Sequence, residues 1–217
     1  MKKYLLAVLA GVLPAPAFAA DNAVVDVGVH LSTLGYGLSV AIPVTGSIAG
    51  RLGFNQFNKS YQTTSDSVKY DGDLKLSSFE ALVDWHPFNG VTHLTAGLMQ
   101  NGNKFLMAAL PTGSYTINGT TYTAAQVGSM SAAVEFSKVV PYLGFGWSGQ
   151  AKNTGFSFKS DFGVMFQGKP KSVLTCTNPG AIPQLAADCA AAQVKMDDDL
   201  KNFKYYPVIS FGLGYAF

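Results

Sequence analysis

The stretch Tyr205–Phe217, YYPVISFGLGYAF, sets large apolar side chains at Tyr205, Pro207, Ile209, Phe211, Leu213, Tyr215 and Phe217, with small or polar residues at most positions between. A period of two is that of a strand with one oily face. Gly212, Gly214 and Ala216 keep the other face narrow, as the interior of a small barrel requires. The pattern predicts a membrane strand; in a soluble sandwich a second sheet would have to cover the apolar face.

Working outward, turn signals cut the chain into eight strand candidates, an even number that closes an up-and-down antiparallel barrel with both ends in the periplasm. The first, about 24–33, turns Val27, Val29 and Leu31 to lipid. The second, about 36–44, uses Tyr36, Leu38, Val40 and Ile42. The parity flips between them, which a two-residue turn at Leu34 and Gly35 explains by pairing Leu31 with Leu38 and Val29 with Val40. The third presents Ile48, Leu52 and Phe54, the fourth Phe79, Ala81, Val83 and Trp85. The fifth starts near Leu94, and its pattern breaks at 101–104. The sixth presents Val139, Pro141, Leu143, Phe145 and Trp147, the seventh Phe156, Phe158, Phe162, Val164 and Phe166. Aromatics gather at strand ends, with Trp85, Phe88, Trp147, Phe156, Tyr215 and Phe217 as a periplasmic girdle and Phe57, Tyr61, Phe136, Phe203 and Tyr205 as an outer one.

Composition agrees. The chain is 48% apolar and 13% charged, against about 25% charge in an ordinary soluble domain. Beyond the N-terminus no run of 18 apolar residues occurs, so alternating strands have to carry the hydrophobicity. Lys2 and Lys3, the apolar run from Tyr4 to Leu13 and the small residues Ala17 and Ala19 read as a secretory signal, residues 1–19, with the barrel domain over residues 20–217. Removing those two lysines from 15 basic residues leaves 13 against 13 acidic ones. A neutral chain with no basic stripe excludes nucleic acid as a partner.

The expected outer loops are 33–36, 57–69, 111–129 and 173–202. The third carries Asn118-Gly119 between alternating residues, the signature of a hairpin, expected as a flap above the membrane. The fourth contains a helix over about 184–201, with Leu185, Cys189 and Ala192 at helical spacing. Cys176 and Cys189 are either a disulfide or two free thiols, and export favours the disulfide. Two thiols without a nearby histidine are too few ligands for a metal site. The run Asp197–Asp199 is read as a solvated acidic cap in preference to a cation site.

The alternation also lists inward charges. Asp26, Arg51, Glu80, Asp84, Lys159 and Asp161, with His30, lie in the periplasmic halves of their strands, and Lys138 faces inward higher up. A charge facing lipid at mid-depth costs about 2–4 kcal/mol, so these groups turn inward and pair. The expected constriction joins Arg51 to Glu80 or Asp84 and Lys159 to Asp161. The inward glycines 28, 144, 146, 163, 212 and 214 are expected to leave space. Two readings stand side by side: a narrow polar channel favouring cations, and a salt-bridged plug. Catalysis is not expected, because only His30, His86 and His93 are available and Asp26 lies about 13 Å along the strand from His30.

The segments 69–88 (KYDGDLKLSSFEALVDWHPF), 138–146 (KVVPYLGFG), 163–171 (GVMFQGKPK), 197–217 and 34–37 (LGYG) resemble the small eight-stranded outer-membrane barrels of the carbapenem-associated outer-membrane protein type. The resemblance covers about half the exported chain and implies a narrow porin for small amino acids such as ornithine, with no cofactor. The expected setting is the outer membrane of a Gram-negative bacterium, as a monomer among lipid and lipopolysaccharide, delivered by the barrel-assembly machinery through the C-terminal Phe217. The alternative is a closed structural, adhesive or surface-display barrel.

Overall fold

The computed structural model describes residues 24–65, 68–88, 90–109, 113–148, 154–177 and 182–217. The expected signal segment and the start at Ala20 lie outside them. In chain order the elements are β1 (Asp26–Ser32), β2 (Gly35–Pro43), β3 (Ile48–Ser65), β4 (Val68–Trp85), β5 (Thr92–Asn101), β6 (Lys104–Ala109), β7 (Ser114–Ile117), β8 (Thr120–Thr123), α1 (Ala124–Val127), β9 (Met130–Glu135), β10 (Val139–Ser148), β11 (Gly155–Met165), β12 (Lys171–Cys176), α2 (Pro183–Leu200) and β13 (Tyr206–Ala216).

Eight antiparallel strands close a ring in the order β1, β2, β3, β4, β5, β10, β11, β13 and back to β1. Closure removes the free edges that an open sheet would present. The outward residues form a continuous apolar belt: Leu38, Leu98 and Leu213 are 60%, 54% and 59% exposed. So much exposed apolar surface is stable only against lipid, which makes this a transmembrane barrel. Phe145, Trp147, Phe162 and Phe211 interlock on that face with ring centroids 5.6–5.9 Å apart. Beneath them lipid-side Ser160 is buried. No described helix is long and apolar enough to cross a membrane.

The first hairpin turns one residue earlier than the sequence suggested. Val27 pairs with Val40, Val29 with Leu38 and Leu31 with Tyr36, so the turn is Thr33-Leu34. Gly35 closes it at φ 110°, and Ser32 Oγ accepts from the Leu34 amide at 3.1 Å. A shift of two residues keeps every side chain on its face, which is why periodicity alone could not exclude it.

The long outer segments are folded, not loops. β3 and β4 have 18 residues each, whereas about 9–11 cross a bilayer. Their upper halves therefore stand above it, joined by polar cross-strand pairs: Ser60 Oγ donates to Asp73 at 2.5 Å and Gln62 to Asp71 at 2.8 Å. Outside lipid both faces can be polar, so the expected loop 57–69 shows no alternation. β6, β9 and β12 continue this wall as the open sheet β3-β4-β6-β9-β12. The break expected at 101–104 is a short lapse in the ladder that Asn side chains repair: Asn103 Oδ1 accepts from the Ser77 amide at 3.1 Å and Asn101 Oδ1 from the Asn103 amide at 3.1 Å. Of the expected outer girdle, Tyr61 stacks instead on Phe105 of the upper sheet, centroids 6.1 Å apart.

A second core sits in this upper region. Tyr115, Ile117, Tyr122, Val127, Leu185, Cys176 and Cys189 are buried together, with Tyr70, Met130 and Leu174 of the sheet packed against them. The expected Asn-Gly hairpin is present, Asn118 at φ 49° and Gly119 at φ 84°. It lies in this core and is not a free flap. The expected helix is α2, with Leu185 and Cys189 buried on its inner side. Cys176 and Cys189 form a disulfide.

Candidate functional site: the lumen clamp and the vestibule

Arg51 leaves β3 at an inward position and spans the lumen. Its Nε stands 2.9 Å from Asp84 Oδ2 and its Nη2 donates to Asp84 Oδ1 at 3.0 Å. Across the barrel, on β11, Asp161 accepts from Nη1 at 3.0 Å and from Nη2 at 2.9 Å. The planar guanidinium thus faces two carboxylates at once, the geometry arginine suits better than lysine. Thr95 of β5 donates to Asp84 at 2.7 Å. All four residues are buried. Removing one partner of such a cluster strands a buried charge, a cost of about 3–5 kcal/mol.

His93 belongs to the same cluster. Its Nε2 is 3.0 Å from Asp161 Oδ1, its Nδ1 is 3.1 Å from Ser148 Oγ, and its ring lies 5.3 Å from that of His86. Sequence reading left His86 and His93 in a periplasmic turn; both are buried, and His93 is inside β5. The signal was present, because outward Leu94, Ala96 and Leu98 fix His93, Thr95 and Met99 inward. The disrupted upper end of this strand obscured it. Ser148, His93 and Asp161 stand in the order of a nucleophile, base and acid, yet both Asp161 oxygens are committed to Arg51. Asp84, His93 and Asp161 also come within 4.8 Å of one another, and the arginine lies between the two carboxylates.

The second buried pair differs from the expected one. Lys159 binds Asp26, not Asp161, and Ser157 Oγ donates to Asp26 at 2.8 Å. Lys159 on β11 reaches β1 across β13, whose Gly212 and Gly214 leave its path clear. His30 Nε2 is 2.7 Å from Asn55 Oδ1. Glu80, expected as a partner of Arg51, lies over Gly53 of the neighbouring strand and makes no ion pair among the described residues. Lys138 is exposed in the break between β9 and β10, apart from the buried charges; its carbonyl accepts from the Asn101 amide at 2.7 Å.

The inward glycines do not hold the lumen open; they seat large side chains. The Tyr142 ring lies over Gly144 and Gly163, where a Cβ would meet its hydroxyl, and His93 lies against Gly146 in the same way. Among the described residues, His30, Arg51, Glu80, Tyr142 and Lys159 line one lumen cavity of about 20 Å³, space for about one water molecule.

Above the lumen the second core is fastened over the upper sheet. Tyr122 Oη and Asn118 Nδ2 donate to Asp188 of α2 at 2.6 and 3.1 Å. Those bonds hold the Asp188 carboxyl below its ordinary range, the tyrosine's first. Gln193 of α2 accepts from the Leu174 amide at 2.5 Å and donates to the Ser172 carbonyl at 3.0 Å. It thereby covers edge groups of β12 that would otherwise invite another strand. In the acidic run, Asp197 accepts from Ser172 and Gln193, and Asp198 pairs with Lys201 at 2.7 Å. Between α2, the β7–β8 tip and the sheet lies a second cavity of about 580 Å³.

No protein-family model matches the chain, and no curated protein matches it in sequence. Solved structures match its fold, among them two from one organism. CarO2 of Acinetobacter baumannii superposes with a TM-score of 0.57 at 19% identity over 90% of this chain and 98% of its own. CarO of the same organism gives 0.53 at 18% identity over 88% and 97%. The eight-stranded barrel expected from the resemblance of the sequence is therefore the fold that this chain shares with CarO and CarO2.

Proposed function

We propose that this chain is a narrow, gated channel of the bacterial outer membrane that admits small polar solutes passively, cations such as basic amino acids ahead of anions, and catalyses no reaction. The observation that carries the reading is Glu80, a buried carboxylate facing the lumen cavity without an ion pair among the described residues. Asp26, Asp84 and Asp161 set three carboxylates against Lys159 and Arg51, so the lumen keeps a negative excess before Glu80 is counted. In a low-dielectric tube that excess attracts cations and repels anions. The apolar belt, the aromatic girdles and the likeness to CarO support placement in an outer membrane. Lipid and lipopolysaccharide against the belt, delivery by the barrel-assembly machinery through the exposed Phe217 and a monomeric state belong to the same proposal.

A second reading is favoured by the clamp itself. Arg51 bound on both sides, beside a cavity with space for about one water, is the arrangement that a closed structural or display protein would carry. Conductance in planar bilayers across a salt gradient decides. Small discrete openings with a cation-selective reversal potential support the channel. Silence, from protein shown to be folded by heat-dependent gel mobility, supports the closed barrel.

A further inference from the structure

The cavity in the upper region is of a different kind from the lumen. At about 580 Å³ it falls within the range of small-molecule sites, about 300–1,000 Å³. Its base is apolar: Phe105 and Val134 from the upper sheet, Met196 and Leu200 from α2. Val134 is buried and Met196 and Leu200 are half-buried. Its walls are held in place before any ligand arrives, because the disulfide, Asp188 and Gln193 fasten α2 to the hairpin and to β12.

Lys195 and Asp199 line the same cavity, four residues apart on α2. Residues at that spacing are neighbours on one helix face, with Cβ atoms about 5–6 Å apart. The two are exposed, and neither makes an ion pair among the described residues. An ammonium and a carboxylate therefore stand side by side at the mouth of an apolar recess. A purely anionic ligand meets Asp199 and a purely cationic one meets Lys195. A molecule carrying an ammonium and a carboxylate on the same carbon satisfies both, if its remaining surface is apolar.

We infer that this cavity is a binding site for small zwitterions with an apolar substituent, such as free amino acids with aromatic or branched aliphatic side chains. The inference rests on the channel reading for its role, as an outer station from which solute reaches the lumen. It differs from that reading in ligand class, because the recess selects paired charges with an apolar body where the lumen selects cations.

The test uses the full protein extracted from membranes in detergent, with L-phenylalanine as the probe and saturation-transfer NMR or calorimetry as the readout. Phenethylamine and 3-phenylpropanoate each lack one charge, and L-lysine lacks the apolar body. Phenylalanine is expected to bind at least about tenfold tighter than any of the three, the worth of one charge-assisted contact. Asp199→Asn and Lys195→Gln should each remove most of that margin, and Ala192→Trp, which fills the recess, should abolish binding. Equal binding of all four probes, or phenylalanine binding untouched by Ala192→Trp in protein that keeps its gel mobility, overturns the site. Solute flux into liposomes is measured on the same preparations. Binding without flux leaves the site standing and removes the channel; flux without binding does the reverse.

Discussion

The lumen and the vestibule are both braced by side chains, but by opposite physics. In the lumen, ion pairs and hydrogen bonds cross the space that inward glycines provide, and the cavity beside Arg51 holds about 20 Å³. In the vestibule an apolar core and a disulfide do the holding, and about 580 Å³ remains open beside them. A polar clamp can exchange its partners for water or a solute without losing hydrophobic burial, whereas an apolar core cannot open without exposing itself to water. On the channel proposal, the part that would exchange its partners is the polar clamp in the barrel, and the apolar core above it is the fixed part.

The harshest break is Arg51→Gln, which leaves Asp84 and Asp161 facing one another without a cation. It is expected to destabilise the barrel by about 3–5 kcal/mol in urea unfolding, and the folded fraction should conduct more than the native protein. An unchanged unfolding midpoint would mean the clamp is not closed in the membrane. Next is Cys176→Ser with Cys189→Ser. A bridge of sequence separation 13 corresponds to roughly 3 kcal/mol of lost chain entropy, and the loss should be confined to the vestibule. Hydrogen exchange should rise in α2 and β12 while β1, β2 and β13 stay protected; uniform loss of protection would remove the distinction between the two regions.

A smaller effect is expected from Gly163→Val, which drives a side chain into the Tyr142 ring. Overpacking of this kind costs about 1–3 kcal/mol, visible in thermal unfolding and without effect on α2. Glu80→Gln should leave stability nearly unchanged, because no ion pair is broken, and should lower cation preference in the reversal potential. Selectivity equal to that of the native protein would detach Glu80 from the pathway.

The smallest effect is with pH. The ionised Asp188 is favoured in the folded cap by its bonds from Tyr122 and Asn118. Its stabilisation is therefore complete above the unfolded carboxyl value of about 3.9 and fades as pH falls below it through the lower folded value. Tyr122 fluorescence and exchange in α2 should report loosening of the cap in that window, and Asp188→Asn should remove the dependence.

Much of this was legible in the chain. Alternation in Tyr205–Phe217, in 79–85 and in 156–166 gave the ring and the inward charges, because a strand has only two faces and lipid claims one. The hairpin at Asn118-Gly119 and the helix followed from turn chemistry and spacing. The rest depends on contacts between distant strands. His93 was hidden by the broken fifth strand. The partners of Lys159 and Asp161 were exchanged because side chains two residues apart share a face without having to touch. The segment 57–69 read as a loop because a strand outside lipid loses its apolar face.

By itself the sequence determined the fold class, the lipid-facing surface and the inward set on the regularly alternating strands, since these are local consequences of a period of two beside an apolar solvent. Only the tertiary structure decided who pairs with whom: Arg51 with both Asp84 and Asp161, Lys159 with Asp26, Tyr142 over the glycines, and a preformed recess under α2. Those outcomes depend on register and stagger around a closed ring, where a side chain's partner is set by strands far away in sequence.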